Sequence, residues 1–158
     1  MELAISIISL VTAIIALLAA VLPSASNLRR NAIDFCNKYN QMKSEVVAAL
    51  TLYSQFYHNP VDLAETEDHK LPKNYDDASV ELRKLGATAC ALAAIIPEKE
   101  KHLPISKADL MNVSVNLIGL SNSMCTPYNS ESSLEDRAAV RAREAEIRKL
   151  LRIDESAS

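Results

Sequence analysis

The sequence predicts an all-α protein, in which a single N-terminal transmembrane helix precedes an antiparallel bundle of three to four helices. Three observations indicate this class. The chain begins with an uncharged apolar run, the rest is rich in residues that favour helix, and prolines separate segments whose apolar residues have helical spacing. Only two glycines occur among 158 residues, which excludes a glycine-rich phosphate-binding loop and argues against all-β folds with many tight turns.

The run from Leu3 to Leu22 is the predicted membrane anchor. It contains no charged residue, and at a rise of about 1.5 Å per residue it extends roughly 30 Å, the thickness of the hydrocarbon core of a bilayer. A cleaved secretory signal is one alternative, because the small residues at 24–26 suit a signal peptidase, and a buried helix of a soluble protein is another. The length of the run and the absence of Lys or Arg before it favour a retained anchor.

Basic residues lie on one side of the predicted span. Arg29 and Arg30 follow it, whereas only the α-amino group precedes it. Because Lys and Arg are retained on the cytoplasmic side, the helical domain is expected in the cytoplasm and the N-terminus outside an inner or plasma membrane. Three widely spaced cysteines, an odd number, also suit free thiols in a reducing compartment.

Small residues recur on one face of the predicted span at spacings of three and four. They are Ser6, Ser9, Ala13, Ala16 and Ala20. Small side chains let a second helix approach closely in lipid, so this face is a predicted contact between transmembrane helices. The alternative is that alanine is simply common in such helices, since no GxxxG occurs.

Beyond the anchor, apolar residues follow heptad spacing from 25 to 56, from 75 to 96 and from 110 to 120, and Pro23 is expected to kink or reset the helix. The predicted organisation is an anchor at 1–23, a bundle core at 24–126, and a charged C-terminal helix and tail at 127–158. Ser106 and Asp109 have the spacing of a capping box. The predicted bundle core comprises Phe35, Tyr39, Met42, Val46, Tyr53, Phe56, Leu82, Leu85, Leu92, Ile96 and Leu117.

The C-terminal helix carries six positive and six negative residues between 135 and 155. With a net charge of −3 for the chain, this balance argues against a nucleic-acid site. Glu144 and Arg148 are predicted to form an i,i+4 ion pair. The segment is interpreted as an exposed, salt-bridged helix, with a partner-binding or coiled-coil helix as the alternative.

No CxxC, HExxH or GxSxG occurs. The linker after the first body helix contains metal-ligand residue types, but their spacing is not that of a recognised site and a solvated acidic loop explains them. They are His58, Asp62, Glu65, Asp68 and His69. The sequence therefore predicts no catalytic, cofactor or metal site and no small-molecule substrate.

These features predict a non-enzymatic, single-pass membrane protein. Its cytoplasmic helical domain is expected to bind a protein partner or further copies of itself, while its anchor contacts membrane lipid. One alternative is a membrane-acting effector, such as a bacterial or phage toxin or an exclusion or lysis component, that oligomerises through the transmembrane helix. A second is an enzyme that uses the acidic loop and its histidines.

Overall fold

The computed structural model describes residues 2–59, 73–96, 103–125 and 133–153, with side chains from Arg30 onward except that of Ser133. Within these ranges the regular structure is four α-helices and no strand. They are α1 (Glu2–His58), α2 (Lys73–Ile95), α3 (Lys107–Ser123) and α4 (Ser133–Leu150). The prediction of an all-α protein built from packed helices is confirmed.

The chain divides into two compact units, Met1–Asn37 and Lys38–Ser158. Helix α1 is continuous through Pro23, so the helix is not reset at this proline, and the expected kink stays a prediction. A proline removes one backbone hydrogen bond, and the helix can continue on both sides of it. The predicted boundaries at 23 and 126 stay predictions.

In the part of the chain whose side chains the structure describes, no helix is both long and apolar enough to cross a membrane. The predicted anchor Leu3–Leu22, its face of small residues and Arg29 lie outside these side chains. The structure therefore gives the transmembrane prediction no support.

Neighbouring helices of the second unit run antiparallel. Ser79, early in α2, contacts Ser121, late in α3, through hydroxyl groups 2.9 Å apart. Near the middle of both helices, Gly86 of α2 faces Ser114 and Ile118 of α3. Because the two glycine hydrogens occupy less space than any side chain, the helices approach closely at this point.

Helices α1 and α4 are also antiparallel. At the end of α1, the His58 ring lies 2.8 Å from the Glu144 carboxylate in the middle of α4. Fifteen residues earlier in α1, Lys43 Nζ donates to the carbonyl of Arg152, just after α4, over 3.2 Å. A step back along α1 therefore corresponds to a step forward along α4, which means that the two helices run in opposite directions.

The core of the second unit consists of aliphatic and aromatic side chains from all four helices. Those with almost no exposed surface are Met42, Val46, Leu50, Tyr57, Ala78, Leu82, Ala89, Ala93, Leu110, Val113, Leu117, Leu120, Val140, Ile147 and Leu151. The end of α1 departs from its predicted heptad face, since Tyr53 and Phe56 are only half-buried while Leu50 and Tyr57 are buried. A straight α-helix drifts by about 20° per heptad relative to a 3.5-residue repeat, which moves the buried face in this direction.

Both ends of the α3–α4 segment have local hydrogen bonds that define them. Ser106 is the N-cap of α3, and its hydroxyl accepts from the Asp109 N–H over 3.1 Å, as the capping-box spacing predicted. After α4, the Ile153 N–H donates to the Arg148 carbonyl over 2.8 Å, and Arg152 has a left-handed φ of 51°. This is the Schellman arrangement, which satisfies carbonyls at the helix end.

Helix α4 packs on the other helices only from Val140 onward. Residues 134–139 are all exposed, and Leu134 retains 77% of its accessible surface. The first turns of α4 are thus exposed to solvent, whereas its second half contributes side chains to the core.

Candidate functional site

A polar cluster joins α1 to α4 around Glu144, whose side chain is 13% exposed. One carboxylate oxygen lies 2.8 Å from His58 Nε2, and the other accepts from Arg148 Nε over 2.9 Å. The predicted Glu144–Arg148 pair is therefore confirmed. The neighbouring Tyr57 hydroxyl is buried and donates to the Leu50 carbonyl over 2.8 Å.

Burial raises the pKa of Tyr57 above its usual value, and the negative charge of Glu144 raises it further. Because the donors and acceptors of the cluster engage one another, its evident role is to hold α4 against the end of α1. In the described part of the chain, no three His, Cys, Asp or Glu side chains are arranged to hold a metal ion. Of the acidic-loop residues that were considered and rejected as metal ligands, Asp62, Glu65, Asp68 and His69 lie outside the described residues, and His58 contacts Glu144.

A groove of about 430 Å³ runs between α1 and α2. Each helix contributes four residues at positions i, i+3, i+4 and i+7, the set that lies along one face of a helix. We call this surface the α1–α2 groove, and it is lined by Lys38, Gln41, Met42, Glu45, Thr88, Ala91, Leu92 and Ile95.

The floor of the α1–α2 groove is apolar and its α1 edge is polar. Met42 and Leu92 form buried parts of the floor, while Ile95 is 56% exposed. Along α1 the edge presents Lys38 first and Glu45 seven residues later, and Gln41 donates to the Glu45 carboxylate over 2.9 Å. An apolar floor with a polar edge is typical of a surface that receives an amphipathic helix.

The second half of α2 has no charged residue. From Gly86 to Ile96 the sequence is uncharged, yet six of these positions are exposed: 87, 88, 90, 91, 94 and 95. A helix that is uncharged all round is usually covered on more than one side. This part of α2 therefore resembles an interaction surface more than a solvated face.

A second exposed apolar surface lies on α4. Leu134, Ala138, Ala142 and Ala145 follow one another at spacings of four, four and three, and all four are exposed. We call them the α4 stripe. Their spacing places them on one side of the helix, away from Val140 and Ile147, which face the core.

Most of the predicted bundle-core residues are buried in the structure. Phe35, Tyr39, Met42, Val46, Leu82, Leu85, Leu92, Ile96 and Leu117 are buried. Phe56 is half-buried, and its ring packs against that of Tyr75 in a tilted arrangement with ring centroids 4.9 Å apart. Arg30 is exposed, while Ser6, Ser9, Ala13, Ala16, Ala20 and Arg29 have no described side chains.

Two features escaped the sequence analysis. The groove was missed because the apolar pattern predicts that Cys90, Ala91 and Ile95 widen a buried face of α2, whereas all three are exposed. The absence of charged residues between 86 and 96 is the feature of the sequence that could have indicated an exposed apolar surface. The contact between His58 and Glu144 has no local signal, since 86 residues separate the two along the chain.

Comparison with protein-family models, with curated proteins and with solved structures found no match to this chain.

Proposed function

We propose that this chain is a single-pass, membrane-anchored helical assembly protein with no catalytic role. Its cytoplasmic helical domain binds a protein partner or further copies of the chain. The observation that carries the binding role is the α1–α2 groove beside the uncharged second half of α2, because exposed apolar surface of this kind marks interaction sites.

The anchor rests on the sequence. Leu3–Leu22 is long enough and free of charge, and Arg29 and Arg30 follow it. A protein held in a membrane meets its partners at raised effective concentration, so a modest binding surface is sufficient for assembly. The described contacts around Glu144 support a structural role for the polar cluster, consistent with a non-enzymatic protein.

Membrane fractionation tests the anchor. Ile14→Arg with Leu17→Arg places two charges at the centre of the run, each costing about 2.5–3.5 kcal/mol of insertion free energy. The natural chain should stay in the membrane pellet after alkaline carbonate washing, and the double-arginine chain should be released.

Ile14→Val with Leu17→Val is the matched control and should remain in the pellet. Release of the natural chain into the carbonate supernatant would contradict the proposed anchor. Circular dichroism of the released double-arginine chain checks that the helical domain remains folded.

A further inference from the structure

Helices α2 and α3 share an exposed apolar face on the side where Arg83 contacts Asn122. Arg83 Nη2 donates to Asn122 Oδ1 over 3.3 Å, and both residues are exposed. The same side continues at positions 87, 90 and 94 of α2 and at 115, 111 and 108 of α3, because steps of three and four residues stay on one side of a helix. We call these residues the α2–α3 face, and they are Ala87, Cys90, Ala94, Ala108, Met111 and Val115.

Every residue of the α2–α3 face is exposed, and none of the six is charged. Val115 retains 60% of its accessible surface and Met111 retains 41%, so the face includes large hydrophobic side chains as well as small ones. Gly86 lies opposite Ser114 in the antiparallel pair, which brings the next turn of α2, with Cys90, to the centre of the face. Exposed apolar surface that extends over two adjoining helices is typical of an interaction site.

The absence of charge favours a second copy of this chain as the occupant of the α2–α3 face. In a contact with twofold symmetry, residues near the axis meet their own counterparts, so a charged side chain there would face an identical charge. The α4 stripe does not meet this condition, because Arg141 and Lys149 are exposed beside its alanines. The α2–α3 face meets it over about 10 Å of each helix.

We propose that two copies of the chain pair through their α2–α3 faces, about a twofold axis that passes near Cys90. Copies related by an axis along the membrane normal have their N-termini on the same side, so both anchors can lie in one membrane. The pairing deepens the proposed function by naming a second copy as the partner, and it rests on that function for the anchor.

The size of the α2–α3 face indicates a weak contact. Two adjoining helices of this length present roughly 300 Å², whereas a stable complex between free proteins buries roughly 800 Å² per partner. The pair therefore forms and separates readily, which leaves Cys90 open to thiol reagents between encounters. A shared membrane favours the paired state by raising the effective concentration of the copies.

Disulfide formation between full-length chains in membranes tests the pairing, because native Cys90 lies near the proposed axis. Cys36→Ser with Cys125→Ser leaves Cys90 as the single thiol of the chain. The matched control also carries Cys90→Ser and Thr88→Cys, which moves the thiol to an exposed position on the α1 side of α2. Oxidation should link the Cys90 chains into dimers at least about fivefold more than the control chains, since a disulfide requires closely spaced cysteines.

Charge substitution at Ala87, one turn from Cys90, tests whether the occupant is a second copy. Ala87→Glu in every chain, or Ala87→Lys in every chain, should lower the linking of Cys90 about fivefold, because identical charges then face each other. Mixing differently tagged Ala87→Glu and Ala87→Lys chains should restore linking between the two tags. Ala87 is exposed and both replacements favour helix, so circular dichroism should show unchanged helix content.

Equal linking of the Cys90 and Thr88→Cys chains would overturn the proposal, as would a mixed pair that links no better than either charged chain alone. An adduct of Cys90 with another protein in place of the dimer would also overturn it. Carbonate washing of the same membranes reports on the anchor separately. Release of the chain would contradict the anchor, and the same comparisons would then be made on the released chain at about 1 mM, the effective concentration that a shared anchor supplies.

Discussion

At the residue scale, Glu144 is the polar side chain on which the α1–α4 contact depends. Its carboxylate contacts His58 and Arg148 and lies beside the buried Tyr57. Hydrogen bonds to a charged group contribute more to folding stability than bonds between neutral groups. A donor that loses its acceptor in a half-buried site is also poorly solvated by water, which costs further stability.

Glu144→Gln should therefore lower the free energy of unfolding by about 1.5–3 kcal/mol, measured by urea denaturation. Glu146→Gln, on the same helix, is the matched control. Glu146 pairs with Lys149 over 3.3 Å at the exposed surface, so its replacement should change stability by no more than about 0.5 kcal/mol. Equal effects of the two substitutions would contradict the assigned role of Glu144.

The raised pKa of Tyr57 predicts that the protein loses stability at alkaline pH. Burial raises its pKa above the ordinary value of 10.0, and Glu144 adds to this shift. Since the folded chain favours the protonated phenol, this stabilisation is complete below about pH 10 and is lost as pH rises through the folded-state pKa. The pKa of Tyr39 is also raised by burial, against the opposing charge of Arg152.

The free energy of unfolding should thus fall as pH increases above about 10. Tyr57→Phe should make this fall shallower, and Tyr57→Phe with Tyr39→Phe should make it shallower still, in denaturation series across that range. Tyr57→Phe also loses the bond to the Leu50 carbonyl, which costs about 1 kcal/mol at every pH. An unchanged alkaline slope in the double variant would show that other groups cause it.

At the element scale, the two glycines should respond oppositely to alanine. A Cβ at Gly86 would lie 2.8 Å from Ile118 Cγ1 and 3.1 Å from the Ser114 carbonyl, a backbone atom of the adjoining helix. A Cβ at Gly119 would meet the guanidinium end of Arg143, a flexible side chain. The α2–α3 spacing therefore depends on Gly86 and not on Gly119.

Gly86→Ala should destabilise the protein by about 1–3 kcal/mol, because overpacking between helices exceeds the gain of about 1 kcal/mol in helix propensity. Gly119→Ala should be neutral or stabilise by up to about 1 kcal/mol. Thermal and urea denaturation of both variants measure the difference. A stabilised Gly86→Ala variant would indicate that α2 and α3 can separate without cost.

At the scale of the whole molecule, Cys90 gives a native test of membrane orientation. It is an exposed free thiol, whereas Cys36 and Cys125 are half-buried. If the helical domain is cytoplasmic, a membrane-impermeant maleimide should label Cys90 only after the cells are permeabilised. Cys90→Ser measures the labelling of the other two thiols, and labelling of Cys90 in intact cells would reverse the proposed orientation.

Much of the helical architecture could be predicted from local pattern. The heptad runs located the body helices, and Ser106 marked the start of α3. These signals depend on residues within a few positions of one another. The buried face at the end of α1 was predicted less well, because which side of a long helix is covered depends on its neighbours.

The sequence by itself determined an all-helical chain with an uncharged N-terminal run and no recognised catalytic motif, since composition, spacing and caps are properties of neighbouring residues. Only the tertiary structure decided that Glu144 contacts His58, that Gly86 sets the approach of α2 to α3, and that Ile95 and Leu134 stay exposed. The physical reason is that burial and pairing depend on which helix faces cover one another, and those contacts join residues far apart in the chain.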